Sequence, residues 1–248
     1  MRDEPIEMRI EEVKLKSQNR LFDSMPPPLW EALLPHIEEV SLPLGKVLSE
    51  SSFQADYLYF PATAIVSMLY ELENGASAEI AVVGNEGCVG ICIFMGGAST
   101  LTRAVVRTSG LGYRIKADKI IEEFNKRGVL MRILLRFTQA LIVQMTQAAV
   151  CNRHHTLDQQ FCRWLLLSLD RLQSHELVVT QELIAKTLGV RREGVTGAAL
   201  KVQKAGLIGY ARGHISILDR RGLERRTCEC YQVVKKEYER LLPHNLAG

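Results

Sequence analysis

Residues 180–218 read TQELIAKTLGVRREGVTGAALKVQKAGLIGYARGHISIL, and this run constrains the fold more tightly than any other part of the chain. Two helices that cross steeply through a short turn need a small residue at the crossing, glycine or its like in the turn, and apolar side chains on the facing sides. Ile184, Ala185, Leu188, Gly189, Val190, Val195 and Ala198 meet those demands in order. Thr180 is placed to N-cap the first helix, and Arg191, Arg192 and Glu193 fall where the second begins. The spacing predicts a helix-turn-helix followed by a β-wing. Its second helix would be offered start-first to a DNA major groove.

The charge distribution supports this independently. The 248 residues are 47% hydrophobic and 24% charged, ordinary proportions for a folded chain with room for two cores, and they exclude disorder. The net charge of +3 conceals a division, because residues 1–100 carry 6 basic and 15 acidic side chains, whereas residues 101–248 carry 25 basic and 13 acidic ones. The positive field therefore lies on the half that holds the helix-turn-helix.

No apolar run is read as a membrane span, and the opening MRDEPIEMRIEEVKLK is too charged for a signal peptide, so a cytoplasmic location and no membrane partner are expected. The six cysteines are then expected to be reduced.

Hydrophobic periodicity divides the chain into four parts. Residues 1–20 read as a polar arm. Residues 21–127 begin with a short amphipathic helix carrying Leu29, Leu33, Leu34 and Ile37, then change to strands at Ala64–Leu72, Glu79–Val83, Ala104–Thr108 and Leu111–Ile115. Asn74-Gly75 is the strongest hairpin signal among them, since both positions tolerate positive φ. These segments predict an antiparallel β-roll or jelly roll, closed by the helical stretch ADKIIEEFNKR. Residues 128–152 form one long helix whose stripe of Leu130, Leu134, Phe137, Leu141, Met145 and Ala148 reads as a dimer seam, the other reading being a helix packed on its own barrel. Residues 153–248 hold the winged helix-turn-helix, after a polar break at Asn152–Thr156 read as a hinge and a helix over Leu157–Gln173. Asp219 caps a final helix carrying Leu223, Tyr231, Val234, Tyr238 and Leu241. The fold class is α+β.

A β-roll, a long helix and a winged helix-turn-helix in this order resemble the Crp/Fnr family of bacterial transcription regulators over residues 21–242. The likeness is most specific in GVRREGVTGAALKVQKAGLI, Gly189–Ile208, where the Arg192-Glu193 pair precedes Val195. The resemblance implies that Arg192 reads guanine and Glu193 accepts from a cytosine amino group. Gly197 stands where the family commonly supplies another basic contact. Arg191, Thr196 and Lys201 are expected nearer phosphates or groove edges, and Thr180, Gln181, Arg212 and His214 are expected to hold the DNA backbone. The implied partners are double-stranded DNA, a second copy of the chain and RNA polymerase.

The sensory half departs from family members that bind cyclic AMP. In GNEGCVGICIFMGGASTLTRAVVRT, Ile91 follows Gly90 where a glutamate is expected, and Thr102-Arg103 stands near the place of an Arg-Ser pair. Gly90, Ile91, Thr102 and Arg103 are the ligand candidates, with no cyclic AMP expected. The Fnr branch holds an iron–sulfur cluster on about four thiolates. Here residues 1–50 contain no cysteine, and Cys88, Cys92, Cys151, Cys162, Cys228 and Cys230 are scattered. Because Cys228 and Cys230, two apart, would face different sides of a helix, the expectation is no metal and no cofactor, with the cysteines serving as small buried hydrophobes. Two other functions stay open: a helix-turn-helix used for protein contacts, and an enzyme drawing on Cys151, His154, His155 and Asp158 under a regulatory β-roll.

Overall fold

The computed structural model describes residues 14–172 and 176–242. Most of the polar arm, the Gln173 end of one expected helix and the last six residues lie outside that range.

Helices α1 (Arg20–Asp23) and α2 (Pro27–Leu33) lead into a 3-10 turn at Leu34–His36. Seven strands follow: β1 (Glu38–Leu42), β2 (Val47–Ser49), β3 (Tyr57–Pro61), β4 (Ile65–Glu71), β5 (Ser77–Val83), β6 (Arg103–Thr108) and β7 (Gly110–Lys116). They form two antiparallel sheets ordered β1-β7-β3 and β2-β6-β4-β5, the two layers of a rolled sheet. The β4–β5 hairpin turns where Asn74-Gly75 predicts it, with Gly75 at φ +81° and the Asn74 side chain accepting from the Ala76 N–H. Strand alternation sends Leu58, Phe60, Tyr113 and Ile115 inward against Leu42, Ile65 and Val106, all essentially buried. Phe22 of α1 closes one end, its ring 4.4 Å from Phe60 and 5.5 Å from Trp30. These side chains belong to the main apolar core.

Helix α3 (Ala117–Asn125) leads to the long helix α4 (Val129–His154). The stripe expected at a dimer seam is not the outer one. Leu130, Leu134, Phe137 and Leu141 are at most 1% exposed, packed on the chain's own core, because Gly87 of the roll has no side chain and lets the Phe137 ring approach its Cα. The face left open carries Leu135, Gln139, Ile142, Thr146 and Ala149, spaced by threes and fours, with Val150 beside the last. Contrary to the expectation for apolar runs, α4 is also long and apolar enough to cross a membrane, with a mean hydropathy of 1.3 over an 18-residue stretch of it. Arg132, Arg136, Gln139 and Gln144 interrupt the run in sequence.

The chain then makes a tight break at His155-Thr156, shorter than the five-residue hinge expected. Thr156 builds a capping box with Gln159 at the start of α5 (Leu157–Leu169), whose residues from Gln160 onward are buried on every side. Strand β8 (Glu176–Val178) joins β10 (His214–Ile217) and β9 (Ile208–Ala211) in a three-stranded sheet that frames α6 (Gln181–Leu188) and α7 (Arg192–Lys204). The single final helix expected after Asp219 is two. Asp219 caps α8 (Arg220–Arg226), and a new helix α9 (Glu229–Leu241) starts from Cys228.

Two buried ion pairs tie the roll to the C-terminal half. Arg107 of β6 pairs with Glu79 at 2.9 Å, donates to Ser168 of α5 and lies 4.9 Å from the Trp164 ring centre. Arg171 pairs with Glu86 at 2.7 Å and donates to Gln144 of α4, which in turn donates to the Val82 carbonyl and to the Tyr238 hydroxyl of α9. Burial pushes the Tyr238 hydroxyl up, helped by the nearby Glu86 carboxylate. These side chains connect β5, the loop after it, α4, α5 and α9.

Candidate nucleic-acid interface

The helix-turn-helix is shaped by one left-handed residue. Gly189 takes φ +66° at the end of α6, so its N–H reaches the Lys186 carbonyl and the Val190 N–H reaches Ala185, a pair of bonds that closes the helix and redirects the chain. Thr180 caps α6 by accepting from the Leu183 N–H at 3.2 Å. Ile184, Ala185, Leu188, Val195 and Ala198 are buried between the helices, as their spacing demands.

Helix α7 begins in the open. Arg191 is extended and offers no side-chain cap, and Arg191, Arg192 and Glu193 are all exposed. The wing turns on Arg212 and Gly213, both at positive φ, between the paired residues Ala211 and His214. Between α7, the start of α6 and the wing runs an open groove of about 430 Å³ lined by Thr180, Gln181, Arg192, Thr196, Leu200, Gln203, Tyr210 and Arg212. Five of the nine residues singled out for DNA in the sequence line this one groove. Thr196 donates to Gln181 at 2.9 Å, which pins α7 to the start of α6.

The other four are elsewhere. Arg191 and Glu193 are exposed at the leading end of α7, and His214 is exposed where β10 begins. Lys201 is five residues on from Thr196, on the opposite side of α7, where its Nζ lies 3.5 Å from Asp158 of α5. Leu200, Gln203 and Tyr210 were missed. The first two follow from Thr196 by steps of four and seven, an arithmetic available in the sequence, whereas Tyr210 needed the wing's fold.

The ligand candidates of the roll are not gathered in this way. Gly90 is left-handed at φ +112° before a 3-10 turn that includes Ile91, and a Cβ there would crowd the Tyr57 carbonyl. Thr102 bonds Thr100, and Arg103 lies on the outer face of β6, paired with Glu50 and Glu71 at 3.1 and 3.3 Å.

The expectation of no metal is corrected by the cysteines. Cys151, His155, Cys228 and Cys230 bring four ligand atoms within 4.8 Å of one another, a set that can hold a metal ion. The expectation failed because Cys228 is not inside a helix. It is the extended N-cap of α9, so its side chain turns to the same side as Cys230. Cys88, Cys92 and Cys162 do sit in the main apolar core, where burial raises their thiols.

A rolled sheet, a long helix and a winged helix-turn-helix in series give this chain a fold similar to that of solved Crp/Fnr-family structures. Residues 159–226 match the Crp-like helix-turn-helix domain. Among solved structures, the chain is similar to a transcriptional regulator of the Crp/Fnr family from Eubacterium rectale, at TM-score 0.65 and 16% identity, over 84% of this chain and 98% of that one. FixK2 from Bradyrhizobium japonicum gives TM-score 0.64 at 18% identity over 77% and 98%, and a CRP-family regulator from Thermus thermophilus gives 0.62 at 19% over 76% and 95%. No curated protein matches the sequence.

Proposed function

We propose that the protein is a cytoplasmic, sequence-specific transcription regulator that grips DNA as a homodimer and then engages RNA polymerase. The observation that carries this reading is the groove, where Arg192, Thr196, Thr180, Gln181 and Arg212 face one open space beside an uncapped helix start. A guanidinium there matches the two acceptors of guanine in the major groove, and the free N–H groups at the helix start favour a phosphate. Glu193 would accept from cytosine, and Arg191 and His214 would flank the backbone contacts. Lys201 would act through the Asp158 pair rather than on DNA.

The second copy would dock along the open face of α4, through Leu135, Ile142 and Val150, which are 48%, 54% and 42% exposed. A helix with apolar residues at this heptad-like spacing buries them best against its own twin. In this reading residues 21–127 are the regulatory roll, 128–152 the dimer helix and 153–248 the DNA-binding part. A signal at the roll would reach the reading heads through the Arg107–Glu79 and Arg171–Glu86 pairs.

Retention on random-sequence duplex DNA against salt tests the class of function. Binding should weaken linearly on a log-log plot, with a slope of several charges. A flat dependence would favour a helix-turn-helix that contacts protein instead.

A further inference from the structure

The four ligand atoms described above do not behave as a patch of core. Cys151, Cys228 and Cys230 form a buried cluster of their own, separate from the main apolar core, with no leucine, valine or aromatic side chain among its members. Cys151 closes the last full turn of α4, and His155, four residues later, leaves the helix on the same side. Cys228 and Cys230 come from the start of α9. The cluster thus joins the end of the long helix to the beginning of the last one.

The distances are those of a single ion's coordination shell. A tetrahedral zinc with bonds of about 2.3 Å to sulfur sets its ligand atoms about 3.8 Å apart, slightly less where one is nitrogen. Here the sulfurs of Cys151 and Cys228 are 3.5 Å apart, and the sulfur of Cys230 is 3.6 Å from His155 Nδ1. Both separations far exceed a disulfide bond of about 2.05 Å. All four donors lie within 4.8 Å of one another, a span that suits one ion rather than a multinuclear cluster.

The surroundings complete the case. His155 directs Nδ1 at the sulfurs while its Nε2 lies 3.2 Å from a carboxylate oxygen of Glu229, the outer hydrogen bond that orients metal-bound histidines. Three thiolates, one neutral imidazole and a divalent ion leave one negative charge. The buried guanidinium of Arg163 lies within electrostatic reach of Cys151 and Cys230, its Nε has no hydrogen-bond partner, and it pairs with no carboxylate among the described residues. Gln160 holds the Cys151 and His155 carbonyls with one amide nitrogen.

We propose that Cys151, His155, Cys228 and Cys230 form a closed tetrahedral site for a zinc-class divalent ion that clamps the end of the long helix to the start of the last helix. With four protein ligands no position is open to water, so the site is structural rather than catalytic. It stands whether or not the groove binds DNA.

The test uses the full chain, purified without chelators from zinc-replete cells. One zinc per chain is expected. Exchange for Co²⁺ should give the intense visible bands of a tetrahedral ion and a near-ultraviolet thiolate-to-cobalt band scaled to three sulfurs. Cys230→Ser should lose the bound ion, Cys92→Ala should keep it, and Glu229→Gln should keep the spectrum while weakening affinity about tenfold. A metal-free wild-type chain that takes up Co²⁺ only with the pale octahedral spectrum overturns the proposal, as does a freshly isolated chain in which Cys151 and Cys228 are oxidised to a disulfide. Neither result depends on a variant folding.

Discussion

Arg192 and Arg212 face the same groove but are expected to fail differently. Arg192 stands on the first turn of α7, where in the proposed complex its guanidinium would reach base edges, and Arg212 sits at the wing tip, where it would meet only backbone. Arg192→Ala should therefore cost about 1–3 kcal/mol on a selected site, with little loss on random DNA. Arg212→Ala should weaken all sequences alike and lower the salt slope by about one. Affinities measured on both DNAs at several salt concentrations separate the two, and equal losses for Arg192→Ala would remove it from base reading. At this scale the sequence was readable wherever a residue's role is local: Thr180 caps, Gly189 turns, and the inner faces of α6 and α7 pack as spaced. It was not readable where a role depends on distant chain. The partner of Lys201 is 43 residues away, and the cysteine cluster joins residues 77 apart.

The long helix shows the same limit for whole elements. Its sequence has apolar residues on more than one face, so periodicity establishes the helix without saying which face meets the roll. Leu134, Phe137 and Leu141 are buried in the chain's own core, and the complementary face with Leu135 and Ile142 stays exposed, the face proposed for a second copy. Ile142→Arg should therefore convert the proposed dimer to a monomer in sedimentation, with helix content by circular dichroism unchanged. If the variant stays dimeric, the partner copy sits elsewhere. Strands β4 to β7 were more legible than the helices' partners, because apolar patterning and turn chemistry at Asn74-Gly75 each define geometry over a few residues, whereas β1, β2 and β3 were not singled out. The final helix was misjudged as one because its interruption at Thr227-Cys228 carries neither glycine nor proline.

Across the whole molecule, the roll and the DNA-binding half are joined by charge as well as by packing. Removing Arg171 strands Glu86, 5% exposed, without its ion-pair partner between the two halves. Arg171→Ala should lower stability by about 3–5 kcal/mol in denaturant unfolding, while replacing both partners together with apolar residues of similar size should cost far less. An equal cost for the single and double replacements would mean that packing, not charge, holds this junction.

Selection of bound duplexes from a random pool tests the central claim most directly. Two copies reading with Arg192 should enrich an inverted repeat whose half-sites lie about 10 base pairs apart, centre to centre, or a multiple of that. Enrichment of a lone, asymmetric site, or none at all above background retention, would contradict it.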